Sequence, residues 1–195
     1  MKIGVLALQG DFREHLQAVL LCGAEGIEVR RVSELDMCDA LILPGGESTA
    51  IALLARNYDL IDPIRKRIGA GMPTYGSCAG MILLADRLID GAPDQQTFGG
   101  IDMTVRRNAF GRQVDSFESS LTFNSHTLHA VFIRAPWVEE IGSQVQVISE
   151  VMTSDGRSHP VAVRQSHLLA TSFHPELTHD LVVHRYFIDE VCKSG

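Results

Sequence analysis

No apolar run in this chain of 195 residues approaches the roughly 18 to 20 residues that crossing a bilayer takes. The N-terminus passes from Met1 into MKIGVLALQG with no basic-then-apolar leader, so a cytoplasmic location is expected rather than a membrane or secreted one. Nor is there a Lys/Arg block. The 17 basic and 24 acidic residues give a formal charge of −7, which leaves no electrostatic footprint for nucleic acid or an anionic membrane. Cysteine is scarce and scattered: Cys22, Cys38, Cys78 and Cys192 form no C-x-x-C pair. That argues against a disulfide framework or a zinc site and for free thiols in a reducing compartment. Repeats, low-complexity tracts and linkers are missing too. A hydrophobic content of 45% over this length supports one sizeable core, and the expectation is a single domain, 1–195.

What is present is an alternation of strand and helix signals. KIGVLAL is short and nearly all apolar, the pattern of a strand buried on both faces of a parallel sheet. Asp11, with Glu14 three residues on, marks a capped helix through Leu16, Leu20 and Leu21 that stops near Gly23. The unit recurs as DALILPGG before STAIALLARN and as MPTYG before SCAGMILLADRL, with Pro63 opening a helix between them. Such repetition predicts an α/β fold with a doubly wound, mostly parallel sheet flanked by helices. From about Ile101 the pieces IDMTVRR, LHAVFIR, QVQVISEVM, PVAVRQ and LLATSF read as added, partly antiparallel strands. LVVHRYFIDEV reads as a C-terminal helix covering the sheet.

Gly76-Ser77-Cys78-Ala79-Gly80 has nucleophile-elbow spacing at a strand-to-helix turn. Small neighbours let the central side chain project while the chain reverses, and the N–H groups and dipole of the following helix favour a thiolate at Cys78. Taken alone, Cys78 could be a small buried residue, as Cys22, Cys38 and Cys192 are expected to be. A thiol nucleophile needs a base and a group to orient that base. His174-Pro175-Glu176 offers both: in a segment continuing extended from LLATSF, His174 and Glu176 would point to one side, with Pro175 stiffening the path. Pro44-Gly45-Gly46-Glu47-Ser48 ends a buried strand at the carboxyl edge of the sheet, where α/β folds bind ligands. One of its glycine amides, with the N–H of Ala79, could form an oxyanion hole; the alternative is a turn in which Ser48 or Thr49 caps the next helix. His126 with His129, and His179 with His184 on one helix, lack a third ligand, so no metal is expected. His15, His159 and His167 read as surface or packing residues.

The segments IGVLALQGDFREH, LPGGESTA, YGSCAG, RRNAFGRQVDSFE, VFIRAP and TSFHPEL, in this order and spanning nearly the whole chain, resemble the class I (triad) glutamine amidotransferases. Within them, the match is to the glutaminase subunits of pyridoxal 5'-phosphate synthase. A small departure is Ser77, where Thr is familiar before the nucleophile. The resemblance implies Cys78 as nucleophile, His174 as base and Glu176 as its orienting acid, with an oxyanion hole from the amides of Gly46 and Ala79. It implies glutamine contacts from Gly46, Glu47, Ser48, Arg107, Ile133 and Arg134, the choice of Arg107 over Arg106 resting on the Arg-Asn-x-Phe-Gly pattern alone. It also implies no cofactor, and a partner: the lyase subunit of pyridoxal 5'-phosphate synthase, in a large hetero-oligomer that receives the ammonia. Other readings are a glutaminase serving a different synthase, such as that of histidine biosynthesis, which FGRQ and GGEST argue against; a non-catalytic subunit; or a cysteine hydrolase of peptides or γ-glutamyl compounds.

Overall fold

The computed structural model describes residues 1–110, 116–153 and 156–193. In chain order the elements are β1 (Lys2–Leu6), α1 (Phe12–Leu21), β2 (Glu25–Val29), α2 (Val32–Leu35), β3 (Ala40–Leu43), α3 (Ser48–Asn57), α4 (Ile61–Gly69), β4 (Thr74–Ser77), α5 (Ala79–Leu84) and β5 (Ala85–Ile89). There follow β6 (Ile101–Arg106), β7 (Ser116–Phe123), β8 (His126–Ile133), β9 (Trp137–Ile141), β10 (Gln146–Met152), β11 (Ser158–Gln165), β12 (Leu168–Thr171) and α6 (Val182–Tyr186).

Seven strands form the main sheet in the order β10-β11-β12-β4-β3-β1-β2. The run from β12 to β2 is parallel, while β11 pairs antiparallel with both β12 and β10. Alternation along the central strands feeds two cores. In β3, Leu41 and Leu43 join an apolar cluster with α3, α4 and α5, whereas Ala40 and Ile42 join a second with Val19 of α1, the β7–β8 hairpin and Val183 of α6. Residues two apart share a face, so a continuous apolar run serves both sides. The expected α/β architecture is the one observed, added antiparallel strands included.

Several local expectations fail. SCAGMILLADRL is not one helix: α5 ends at Leu84, and Ala85–Ile89 become β5, which pairs parallel with β6 in a second sheet, β5-β6-β9. A free strand edge there outweighs helix propensity. Asp11 occupies the N-cap position of α1 without a side-chain cap bond. That helix buries His15, Ala18 and Val19, while Leu20 and Leu21 face outward at 70% and 61% exposure. His179 and His184 do not share a helix, because α6 begins at Val182. LVVHRYFIDEV does cover the sheet, but its second half, Phe187–Val191, is wound as a π-helix. Strands β2, β5, β7 and β9 carried too weak an alternation to be expected, and part of the FGRQ segment, 111–113, lies outside the described residues.

Candidate active site

Strand β4 sits between β3 and β12, and the carboxyl ends of these three parallel strands meet at one edge. At the end of β4 the backbone turns sharply: Cys78 has φ +47° and ψ −98°, a conformation that side chains rarely adopt. The corner is held by surrounding structure, since the Cys78 N–H donates to Thr171 O at 2.8 Å, the end of β12. Its two glycines are required by close approach. A Cβ on Gly76 would stand 2.4 Å from the backbone of Gly80, and one on Gly80 would stand 2.2 Å from Leu43 O. The Cys78 sulfur lies 3.9 Å from Ile133 O.

His174 follows β12, and its N–H donates to Val131 O at 2.9 Å. The expected extended path from LLATSF stops at Thr171; Pro175–Leu177 is a 3-10 turn. Histidine and glutamate still meet, His174 Nδ1 standing 2.8 Å from Glu176 Oε1, because the tight turn brings position i+2 back beneath the ring. Both are buried. Burial opposes a charge on His174, but hydrogen bonds to Cys78 and Glu176 outweigh it and push its pKa up to about 11. Burial likewise opposes the Glu176 carboxylate, yet His15 and then His174 hold it well below the ordinary carboxylate range.

At the end of β3, the Gly45–Gly46 turn runs close beneath these groups. A Cβ on Gly45 would stand 2.4 Å from His174 Cε1, and Gly46, at φ +144°, has no room for one beside Gln9. The cap of α3 is neither Ser48 nor Thr49: Glu47 Oε2 accepts from Ala50 N at 2.7 Å. The other Glu47 oxygen accepts from Arg107 Nη2 at 2.9 Å. Arg107 Nη1 donates to Gln95 Oε1 at 2.9 Å, and Gln95 Nε2 donates to Ser48 Oγ at 3.0 Å. Burial opposes the Glu47 charge, but the backbone amides of Ala50 and Thr49, with Arg107, lower its pKa.

A cavity of about 330 Å³ opens here, and Gly46, Glu47, Ser48, Arg107, Ile133 and Arg134 line it together with Cys78 and His174. Arg134 has φ +44° and Ile133 is 40% exposed. Ala79 starts α5 directly after the thiol, and Glu176 lies behind His174. Asp11 also lines the cavity, its Oδ2 3.5 Å from His174 Nδ1, and burial raises its pKa against the pull of His174. Asp11, His174 and Glu176 bring ligand atoms within 4.8 Å of one another. His174 Nδ1 is already bonded to Glu176, so this is a histidine with its acid neighbours rather than an open cation cage.

Sequence reasoning missed His15, Ser77, His184 and Gln9. His15 and His184 are fully buried beside Glu176, and Gln9 Oε1 accepts from the Glu47 N–H at 2.8 Å. The H in GDFREH was the available signal, read instead as a surface or packing residue. The other thiols stand apart: burial pushes Cys38 up to about 11 and Cys192 up to about 12.

A thiol turned out of a strand-to-helix corner, facing a buried histidine–carboxylate pair, suits acyl transfer from a carbonyl through a covalent intermediate. Fold and site together define a triad-type amidotransferase of the α/β class. A crystal structure of a glutamine amidotransferase superposes with a TM-score of 0.89 at 48% identity, covering 98% of both chains. PurLQS from Thermotoga maritima shares the fold alone, at a TM-score of 0.65 and 17% identity over 99% of this chain and 95% of that one. The chain belongs to the SNO glutamine amidotransferase family, whose model matches residues 5–193. Among curated relatives, the pyridoxal 5'-phosphate synthase subunit PdxT of Nocardia farcinica is 61% identical over 99% of this chain and 87% of its own length. The same subunit of a Nocardioides species is 58% identical over 98% and 96%.

Proposed function

We propose that this chain is the glutaminase subunit of a pyridoxal 5'-phosphate synthase, hydrolysing L-glutamine to L-glutamate and ammonia. Residues 1–195 act as one glutamine amidotransferase domain in the cytoplasm. The observation that carries the reading is the His174–Glu176 contact of 2.8 Å set into the wall of the cavity that also holds Cys78. In the proposed reaction the Cys78 sulfur attacks the side-chain amide carbon of glutamine while the His174 ring holds the proton. The oxyanion of the tetrahedral intermediate is met by the amides of Gly46 and Ala79. His174 then protonates the departing nitrogen, which leaves as ammonia. Water, deprotonated by His174, attacks the thioester carbonyl through a second oxyanion, releasing glutamate and restoring the thiol.

Glutamine carries a carboxylate and an ammonium group at its far end, and the cavity wall offers the matching pair, Arg107 with Glu47. Each accepts the opposite charge in place of the other, the arginine by paired hydrogen bonds. Ser48, Ile133 and Arg134 complete the contacts. Ammonia passes to the synthase's lyase subunit, on which this chain docks in a large hetero-oligomer; direct transfer spares it from dilution and protonation in water. No helix of the described residues is long and apolar enough to cross a membrane.

The test is glutamate and ammonia release by the purified chain, alone and with the lyase subunit, using Cys78→Ala as the blank. Turnover that rises with the lyase subunit and vanishes in the variant is expected. Hydrolysis that survives Cys78→Ala would overturn the mechanism.

A further inference from the structure

Behind His174, away from the cavity, four buried groups from distant parts of the chain meet. Glu176 Oε1 accepts from His174 and, at 3.2 Å, from the Ser77 hydroxyl. Its second oxygen, Oε2, has no hydrogen-bond partner among the described residues, and the nitrogen that faces it is His15 Nε2 at 3.5 Å. The same Nε2 lies 3.1 Å from Ser77 Oγ, and His15 Nδ1 lies 2.9 Å from His184 Nε2. His15 and His184 are wholly buried, and a carboxylate this deep is stable only where donors surround it.

The donors can be assigned one way around. Ser77 spends its only proton on Glu176 Oε1, so His15 Nε2 carries a hydrogen that Ser77 Oγ accepts at 3.1 Å, and the same nitrogen faces Glu176 Oε2 at 3.5 Å. With that hydrogen on Nε2, His15 presents Nδ1 as the acceptor, and the His184 Nε2–H donates to it. His184 Nδ1, which has no partner, is left with a lone pair rather than an orphaned N–H. Burial holds His184 in the uncharged form.

We infer that His15 is a positioning residue for the reaction proposed above: oriented by His184, it anchors the second oxygen of Glu176 so that the first stays on His174 Nδ1. The chain of contacts runs from α6 through α1 and β4 to the turn after β12. It uses the residue before the nucleophile as a hydroxyl bridge. This rests on the glutaminase reading. The titratable groups facing Glu176 are His15 of α1, His174 on its own turn, Asp11 ahead of α1, and Tyr75 and Cys78 on β4 and its corner; His184 of α6 reaches it through His15. Losing the His15 donor destabilises the Glu176 anion and with it the imidazolium of His174, the pair that sets the reactivity of the Cys78 sulfur.

The experiment compares His15→Leu, which removes the donor, with His15→Gln, whose side-chain amide places an N–H where Nε2 stands. Glutamine turnover is measured with the lyase subunit present, alongside the pH profile of Cys78 alkylation by iodoacetamide in the folded chain. His15→Leu is expected to lower kcat by about 10- to 100-fold, by analogy with the loss when the outer hydrogen-bond partners of metal-ligating histidines are removed. KM should change little, and the alkylation profile should move to higher pH. His15→Gln should recover most of both. Wild-type rates and profile in His15→Leu would overturn the inference. So would equal loss in both variants with an unmoved alkylation profile, which is a packing role. The two readings fail separately: absence of Cys78-dependent glutamine turnover in the wild type defeats the glutaminase assignment, whereas the alkylation profile reports on the His15–Glu176–His174 chain without any substrate.

Discussion

Replacing Gly80 by Ala adds one methyl group at the tightest point of the elbow. The new Cβ would lie 2.2 Å from Leu43 O and 3.0 Å from Leu43 C. Reaching the 3.4 Å at which ordinary contact begins requires about 1.2 Å of separation between α5 and β3. Both obstructing atoms are backbone, in a strand paired on both sides, so no rotamer change relieves the clash. Overpacking of this kind costs about 1–3 kcal/mol. In a chain of this size each kcal/mol lowers Tm by about 2–4 °C. Because α5 begins one residue after Cys78, the displacement reaches the thiol, and a misplacement of about 1 Å is worth on the order of 100-fold in rate. Thermal melts and glutamine turnover of Gly80→Ala are set against Gly69→Ala, at the end of α4, where a Cβ meets nothing within 4 Å. The control should keep wild-type activity and Tm, or gain slightly. A Gly80→Ala variant as stable and active as the control would refute the steric account of the elbow.

Arg107→Ala should raise KM for glutamine far more than it lowers kcat, because it removes the partner of Glu47 and the donor to Gln95 without touching the thiol; steady-state kinetics decide. Stability should also report the charge on His174. With its folded pKa near 11 against an ordinary 6.5, the protonated ring stabilises fully below about pH 6.5, and that contribution fades as pH rises toward 11. The Tm gap between wild type and His174→Asn should therefore be widest near pH 6 and narrow steadily to pH 10; a gap that widens with pH would contradict the assignment. Glu176 runs the other way. Its lowered pKa gives stability that is present above the unfolded value near 4.5 and lost only as acid drives the buried carboxylate neutral.

Much of this molecule is written in short stretches of chain. DALIL reads as a buried strand because its apolar residues feed both cores, and STAIALLARN is α3 end to end. Gly76 and Gly80 announce a corner because their neighbours are only a few residues away and nothing larger fits. Resemblance along the whole length pointed to the family that the comparisons show. Where local pattern misled, a competing partner was out of sight. ADRL carries a helical texture but meets the edge of β6, and Asp11 has a capping side chain but faces His174 instead.

His-x-Glu spacing suggested that His174 and Glu176 could meet, though by strand alternation; a 3-10 turn brings them together instead. No periodicity could announce His15 against His184, which are 169 positions apart and touch because α1 and α6 pack on the same face of the sheet. Nor does the sequence say that Ser77 turns inward to Glu176 while Cys78 turns out to the cavity. Composition and spacing determined the main-sheet strands other than β2, the corner and the chemical types available to the site. The order of β12, β4 and β3 in the sheet decided which of them meet, since contacts between distant segments depend on how whole elements stack and not on any residue's neighbours in the chain.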